Sequence, residues 1–285
     1  MSEATPTRPT LHFERHGDSG PPVLLVMGFG MRGIVWKPQV DGLKQDHRLI
    51  TYDHRGIGES ESPGGNWTMR DLAEDALRVA DAAGFDSFHL VGVSMGGMIS
   101  QHLALGWPER VRSLSLVATH AGGVLSALPT LRGLSFFLRA NLSPPAERVD
   151  ALTELLYPAA FVARADPAQL KARMADSVGQ RAKPDTLKRQ LGAIVRHRTR
   201  SELGKITAPT LVVQPRQDIL IRPRESERLH RLIPGALLSR YDESGHGLIF
   251  QDAKRLNEEL RQHFAKAERR RNVRTSQAAQ SQAAQ

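Results

Sequence analysis

Gly92-Val93-Ser94-Met95-Gly96-Gly97 decides how this chain is read. A strand pattern, Ser87 to Val93, runs into it, and a helical pattern from Met95 to about Trp107 leaves it. A serine on so tight a strand-to-helix turn takes strained backbone angles. The residues two before and two after it must be tiny to avoid collision, and Gly92 and Gly96 supply that room. The turn would expose the hydroxyl above a sheet and lay the Met95 amide at a helix N-terminus, where negative charge is favoured. Ser94 is therefore a candidate nucleophile.

Upstream, Leu11 to Arg15 alternates like a strand and stops at the turn signal Gly17-Asp18-Ser19-Gly20-Pro21-Pro22. Val23 to Met27 and Arg48 to Asp53 are apolar runs of the kind found in strands buried on both faces. Thr68, with Asp71 three residues on, opens a helix that Gly84 ends. Val111 to Ala118 is the fourth strand counted from Val23. Strand and helix alternate, which implies a mostly parallel sheet with helices on both faces. The rhythm then breaks. Between Ala121 and Lys205 four amphipathic segments stand near 127–142, 146–156, 167–179 and 184–203, with no strand. Strands resume at Thr210 to Val213 and Ala236 to Tyr241, with a helix near Arg224 to Leu232 between them and a last one from Asp252 to about Arg271. The expected organisation is an α/β core over 10–120 and 206–268 and a helical cap over 121–205. Disorder is expected at the ends, 1–9 and 272–285, where Ser-Gln-Ala-Ala-Gln is repeated in tandem.

A hydroxyl is a poor nucleophile without a base, and the base needs an orienting carboxylate. Asp218 lies just beyond the strand at Leu211, and His246, in Ser244-Gly245-His246-Gly247, just beyond the strand at Ala236. Both fall at C-terminal strand ends, the same edge as Ser94, and the order Ser, Asp, His is one of the known triad arrangements. Asp242 competes with Asp218, being nearer His246 in sequence.

Composition narrows the classes. The chain has 285 residues, 40% hydrophobic and 24% charged, enough to bury a sizeable core. It has no cysteine, so disulfides, a thiolate nucleophile and cysteine-bound metals are excluded. No apolar run reaches the roughly 18 residues of a membrane span, and no signal segment is apparent, so a cytoplasmic address is expected. The formal charge is +9, and 121–205 carries 14 basic and seven acidic residues. Aromatics are 5% and do not interleave with the basic runs, so solvated helix faces are favoured over nucleic-acid binding. Oligomeric state is not legible.

A second glycine pattern, Gly28-Phe29-Gly30-Met31-Arg32-Gly33, follows a buried strand, and Asp53 ends the next one twenty residues later. That spacing matches a dinucleotide-binding fingerprint. Against an NAD-dependent oxidoreductase, Asp53 runs straight into the glycine-rich loop His54-Arg55-Gly56-Ile57-Gly58-Glu59-Ser60.

Over residues 10–265 the chain resembles the α/β-hydrolase superfamily. Met27 to Gly30, Tyr52 to Ser60 and Val91 to Gly97 look most like its esterase and enol-lactonase branch, near the anthracycline methyl-esterases and 3-oxoadipate enol-lactonases. The resemblance implies Ser94 as nucleophile, His246 as general base and Asp218 as its orienter. It also implies an oxyanion hole from the backbone amides of Phe29 and Met95, no cofactor and no metal. The family often has His-Gly where Met27-Gly28 stands here. The expected reaction is hydrolysis of a small-molecule carboxylic ester or lactone through an acyl-enzyme. C–C bond hydrolysis, cofactor-free perhydrolysis and a low-turnover small-molecule receptor share the same residues; dehalogenases and epoxide hydrolases, with aspartate as nucleophile, are disfavoured. Gly28, Gly30, Trp36 and His120 are substrate-binding candidates, with core packing the competing reading for Trp36, Trp67, Phe136 and Phe137. Asp53, His54 and Arg55 are read as loop braces, and His12, Glu14 and His16 as surface polarity rather than a metal site.

Overall fold

The computed structural model describes residues 8–178 and 182–283. Seven strands form one sheet: β1 (Phe13–His16), β2 (Pro22–Val26), β3 (Arg48–Tyr52), β4 (Phe88–Val93), β5 (Val111–Val117), β6 (Thr210–Pro215) and β7 (Leu237–Tyr241). Their order is β1-β3-β2-β4-β5-β6-β7. Only β1 is antiparallel, on the edge beside β3; the remaining pairs are parallel. This is the mostly parallel sheet with helices on both faces that the alternation of strands and helices implies.

Side-chain alternation divides the core. Leu24 and Val26 of β2 pack on one face of the sheet, with α2 (Met69–Ala82), α3 (Met95–Gly106) and α10 (Arg224–Leu232). Val23 and Leu25 pack on the other, with α1 (Lys37–Leu43), α11 (Leu248–Gln251) and α12 (Ala253–Ala283). Every residue of β2, β4 and β6 is buried, which is why these strands read as apolar runs instead of alternating. Thr68 and Asp71 form the capping box of α2 as their spacing implies, each side chain meeting the other's backbone amide.

Between β5 and β6 lie only helices among the described residues: α4 (Val124–Ala127), α5 (Leu131–Leu142), α6 (Pro145–Leu156), α7 (Ala159–Arg164), α8 (Pro167–Val178) and α9 (Pro184–Arg196). Three differ from expectation. The four-residue α4 and the six-residue α7 are additional helices, too short to show helical periodicity. The segment expected to end near 203 stops at Arg196, because Gly122 and Arg198 form an isolated bridge that turns the chain back to the core. The structure also differs at the C-terminus. Instead of ending near Arg271, α12 runs to Ala283 across a stretch expected to be disordered; Ala, Gln and Arg favour helix and no Gly or Pro interrupts them. Residues 1–7 of the N-terminal end, residue 179 of the third cap segment and residues 284–285 lie outside the described residues. No helix among the described residues is long and apolar enough to cross a membrane.

Candidate active site

Ser94 sits between β4 and α3 at φ 56° and ψ −120°, in the positive-φ half of backbone space that non-glycine residues avoid. The surroundings over-determine that geometry. The Ser94 amide donates to Val117 O at 2.9 Å, and Thr119 Oγ1 donates to Ser94 O at 2.7 Å. A methyl group on Gly96 would overlap the Val26 carbonyl oxygen, and one on Gly92 would overlap Gly96 O and Ser100 Oγ. The two glycines thus let α3 lie directly on the ends of β2 and β4. From residue 88 to 101 every position is buried except Ser94.

His246 follows β7, and its Nδ1 donates to Asp218 Oδ2 at 2.7 Å. That bond holds the proton on Nδ1 and leaves Nε2 as an acceptor. Asp218, in the loop after β6, is fixed in turn: its Oδ1 accepts from Leu220 N at 2.8 Å and Ile221 N at 2.9 Å. Both side chains are buried. The rival Asp242 is exposed and pairs with Arg216 at 3.3 Å instead. The glycines beside His246 have a packing reason. A Cβ on Gly245 would approach Leu156 O to 2.6 Å, and one on Gly247 would enter the Tyr157 ring, so the end of α6 rests on the histidine loop. The Gly247 amide donates to Leu156 O at 2.8 Å.

Ser94 and His246 open on one cavity of about 470 Å³ at the C-terminal edge of the sheet, roofed by the cap. Gly28, Phe29, Gly30 and His120 also line it. Its walls are otherwise mostly apolar, and no acidic side chain is among them. The amides of Phe29 and Met95 donate to no other described residue, so each retains a free N–H near this edge. The loop carrying Phe29 is held from three sides. His54 Nε2 donates to Met27 O at 2.8 Å, Gln190 Oε1 accepts from Gly30 N at 2.9 Å, and Asp53 Oδ1 accepts from Gly33 N at 2.7 Å. Asp53 is buried, and this bond explains the Gly-to-Asp spacing without a ribose: the carboxylate braces the glycine loop itself.

Trp36 is not a cavity wall. Its ring is fully buried in the packing layer with α1 and α12, and its neighbour Val35 lines the cavity instead. Trp67 is likewise buried, with the Arg55 and Arg189 guanidinium groups over its ring. Phe137 does line the cavity, 5.8 Å from Phe29 between ring centroids, whereas Phe136 lies beneath Arg132 and Arg139. His120 Nδ1 accepts from Gly122 N at 2.9 Å, and burial pushes its pKa down to about 4, so the ring is neutral. His12 and His16 lie on the far edge of the sheet, 3.6 and 3.8 Å from Glu14. No cluster able to hold a metal ion occurs among the described residues.

Gln190 and Thr119 escaped sequence reasoning, since their partners lie 160 and 25 residues away in the chain. One signal was present for Gln190: it is the amide among Thr186, Leu187, Ala193 and Ile194 on the apolar side of α9.

The family model described as "alpha/beta hydrolase fold" matches residues 21–253. A protein of Azorhizobium caulinodans named "Putative carbamate hydrolase RutD" is 33% identical over 83% of this chain and 88% of its own length. Among solved structures, the enol-lactonase from Burkholderia xenovorans is similar with a TM-score of 0.77 and 25% identity, over 90% of this chain and 96% of that one. A thermophilic esterase from Thermogutta terrifontis has a TM-score of 0.78 and 25% identity, over 93% and 96%.

Proposed function

The chain belongs to the α/β-hydrolase family, and from that premise we propose that it is a serine hydrolase cleaving a carboxylic ester or lactone of a small molecule through an acyl-enzyme. One observation carries the reading: the strained Ser94 shares a cavity with a histidine whose far nitrogen is already bonded to a buried carboxylate.

In this reading Ser94 Oγ attacks the substrate carbonyl carbon while His246 Nε2 takes its proton. Asp218 keeps Nδ1 protonated and stabilises the imidazolium that forms, and the two amides that donate to its other oxygen hold it in place. The carbonyl oxygen, now an anion, is received by the amides of Phe29 and Met95. These dipoles are fixed before reaction, so little reorganisation is needed as charge develops. Collapse of the tetrahedral intermediate expels the alkoxide, which takes the proton from His246. Water enters, His246 removes its proton as the oxygen attacks the acyl carbon, and the second tetrahedral intermediate releases the acid by expelling Ser94 Oγ, which takes the proton back from His246.

The Azorhizobium relative is named for carbamate hydrolysis, and the same groups would attack a carbamate carbonyl. The walls of the cavity are mostly apolar, with Asn141, Arg148 and Arg173 among the polar exceptions, and this lining supports an ester or lactone with a carbon-rich acyl part. The test is covalent. A fluorophosphonate should label the wild-type protein at Ser94 and hydrolysis of p-nitrophenyl acetate should be measurable. Ser94→Ala should keep its melting temperature and lose both. Unchanged hydrolysis by that variant would refute the assignment, and acylation without steady-state release would move the reading to a small-molecule receptor.

A further inference from the structure

Large apolar side chains that remain exposed are concentrated at the mouth of the Ser94 cavity. Leu128, Leu134, Leu138, Leu191 and Val195 are all exposed, yet all are also walls of that cavity. Two helices carry most of them. On α9 the lining residues Leu187, Leu191, Ile194 and Val195 recur at helical spacing and form one apolar stripe. On α5 Leu134 and Leu138 continue outward to Leu131 and Leu142, which are 89% and 77% exposed. The α5 helix packs on α6, and Leu134 and Leu138 of its stripe line the opening. An uncovered apolar surface of this kind marks a place where something binds.

Resting on the hydrolase reading above, we propose that the substrate carries an extended aliphatic acyl chain that runs from Ser94 outward between α5 and α9. The continuity of the lining favours this occupant. The apolar wall begins at Phe29 and Val93 beside the serine and passes along the α9 stripe to the exposed leucines. The volume, about 470 Å³, lies in the range of roughly 300–1,000 Å³ for ligand pockets and far exceeds what an acetyl or carbamate group fills. The chain desolvates leucines that are otherwise in water, which gives the mouth its binding energy.

The experiment is a series of p-nitrophenyl esters from acetate to dodecanoate, each below its critical micelle concentration. Burial of a methylene is worth about a fourfold gain, so kcat/KM should rise at least about tenfold from acetate to octanoate even with incomplete contact. Leu134→Gln and Leu191→Gln, both at exposed positions that tolerate polarity, should each lower the octanoate-to-acetate ratio about tenfold. A flat or falling series, with Ser94 still labelled and acetate still hydrolysed, would overturn the chain proposal and leave the hydrolase reading intact. Absence of labelling and of all turnover would instead remove the hydrolase reading, and the chain proposal with it. If the variants kept the chain-length profile but lost binding to phosphatidylglycerol vesicles, the stripe would be a lipid-docking face and the proposal would fall.

Discussion

At the scale of single residues, the site depends on groups that never touch the reacting atoms. Gln190 is fully buried on α9, and its Oε1 is the acceptor for Gly30 N, one residue beyond the proposed oxyanion donor Phe29. Removing that acceptor leaves a part-buried amide unpaired, at a cost of up to about 1–3 kcal/mol, which the loop relieves by moving. The expected result for Gln190→Leu is a fall in kcat of roughly tenfold to a hundredfold, below the 10²–10³ of losing an oxyanion donor outright. KM should change much less, since the acyl-binding walls are untouched. Gln190→Glu, which keeps an acceptor, should recover part of the loss. Steady-state kinetics of the two variants on one ester check this; equal kcat for Gln190→Leu and the wild-type protein would show that the loop holds its shape without the cap. The residues proposed to bear the chemistry were legible because each is marked locally. Ser94 has glycines at fixed offsets, His246 has one on either side, and Asp218 lies just beyond a strand pattern. Gln190 has no local mark, since its meaning depends on a contact between segments far apart in the chain.

At the scale of elements, the same contrast separates the sheet from the cap. Strands buried on both faces produce unbroken apolar runs, and helices α2 and α10 begin within a residue or so of where Thr68 and Arg224 place them. The cap helices are weaker signals: α7 has six residues and α4 four, too few for a helical period to repeat. Trp36 failed as a cavity residue for a related reason. Sequence shows that a large ring near the glycine loop is apolar, but not on which side of the loop it packs. A cap signal that was legible can be tested without touching the site. The Thr68–Asp71 box satisfies the first turn of α2, and neither residue lines the cavity. Replacing an N-cap threonine costs about 1 kcal/mol, or roughly 2–4 °C for a chain of this size. Thr68→Ala should show that drop in a thermal melt, with kcat/KM unaltered. A variant that lost activity in proportion to stability would mean that α2 and the site unfold as one unit well below the melting temperature.

Over the whole molecule, buried imidazoles set how stability responds to acid. Burial first, and nearby cations second, lower the pKa of His89 from 6.5 to about 2. Burial likewise lowers His120 to about 4, His197 to about 3 with help from His120 and His102, and His263 to about 4. These groups lie on both sides of the sheet: His120 and His197 where the cap meets the core, and His89 and His263 near Phe264 of α12 and the strands beneath it. The sign follows from which state binds protons. Above about pH 6.5 neither the folded nor the unfolded chain is protonated at these rings, and their contribution is complete. As pH falls below 6.5 the unfolded chain takes up protons that the folded one refuses, so stability declines until each folded pKa is reached. One such histidine gives a slope of up to about 1.4 kcal/mol per pH unit, and four act together between pH 6.5 and 4.5, before most carboxylates titrate. Urea midpoints should therefore drop steeply across that window and change little from pH 7 to 8. Replacing one ring by a neutral group of similar shape, as in His263→Gln, should make the profile shallower by about one proton's worth. A midpoint that stayed level from pH 6.5 to 4.5 would mean that these rings are solvated in the native protein, and the tight seating of cap and α12 on the sheet would fail with it.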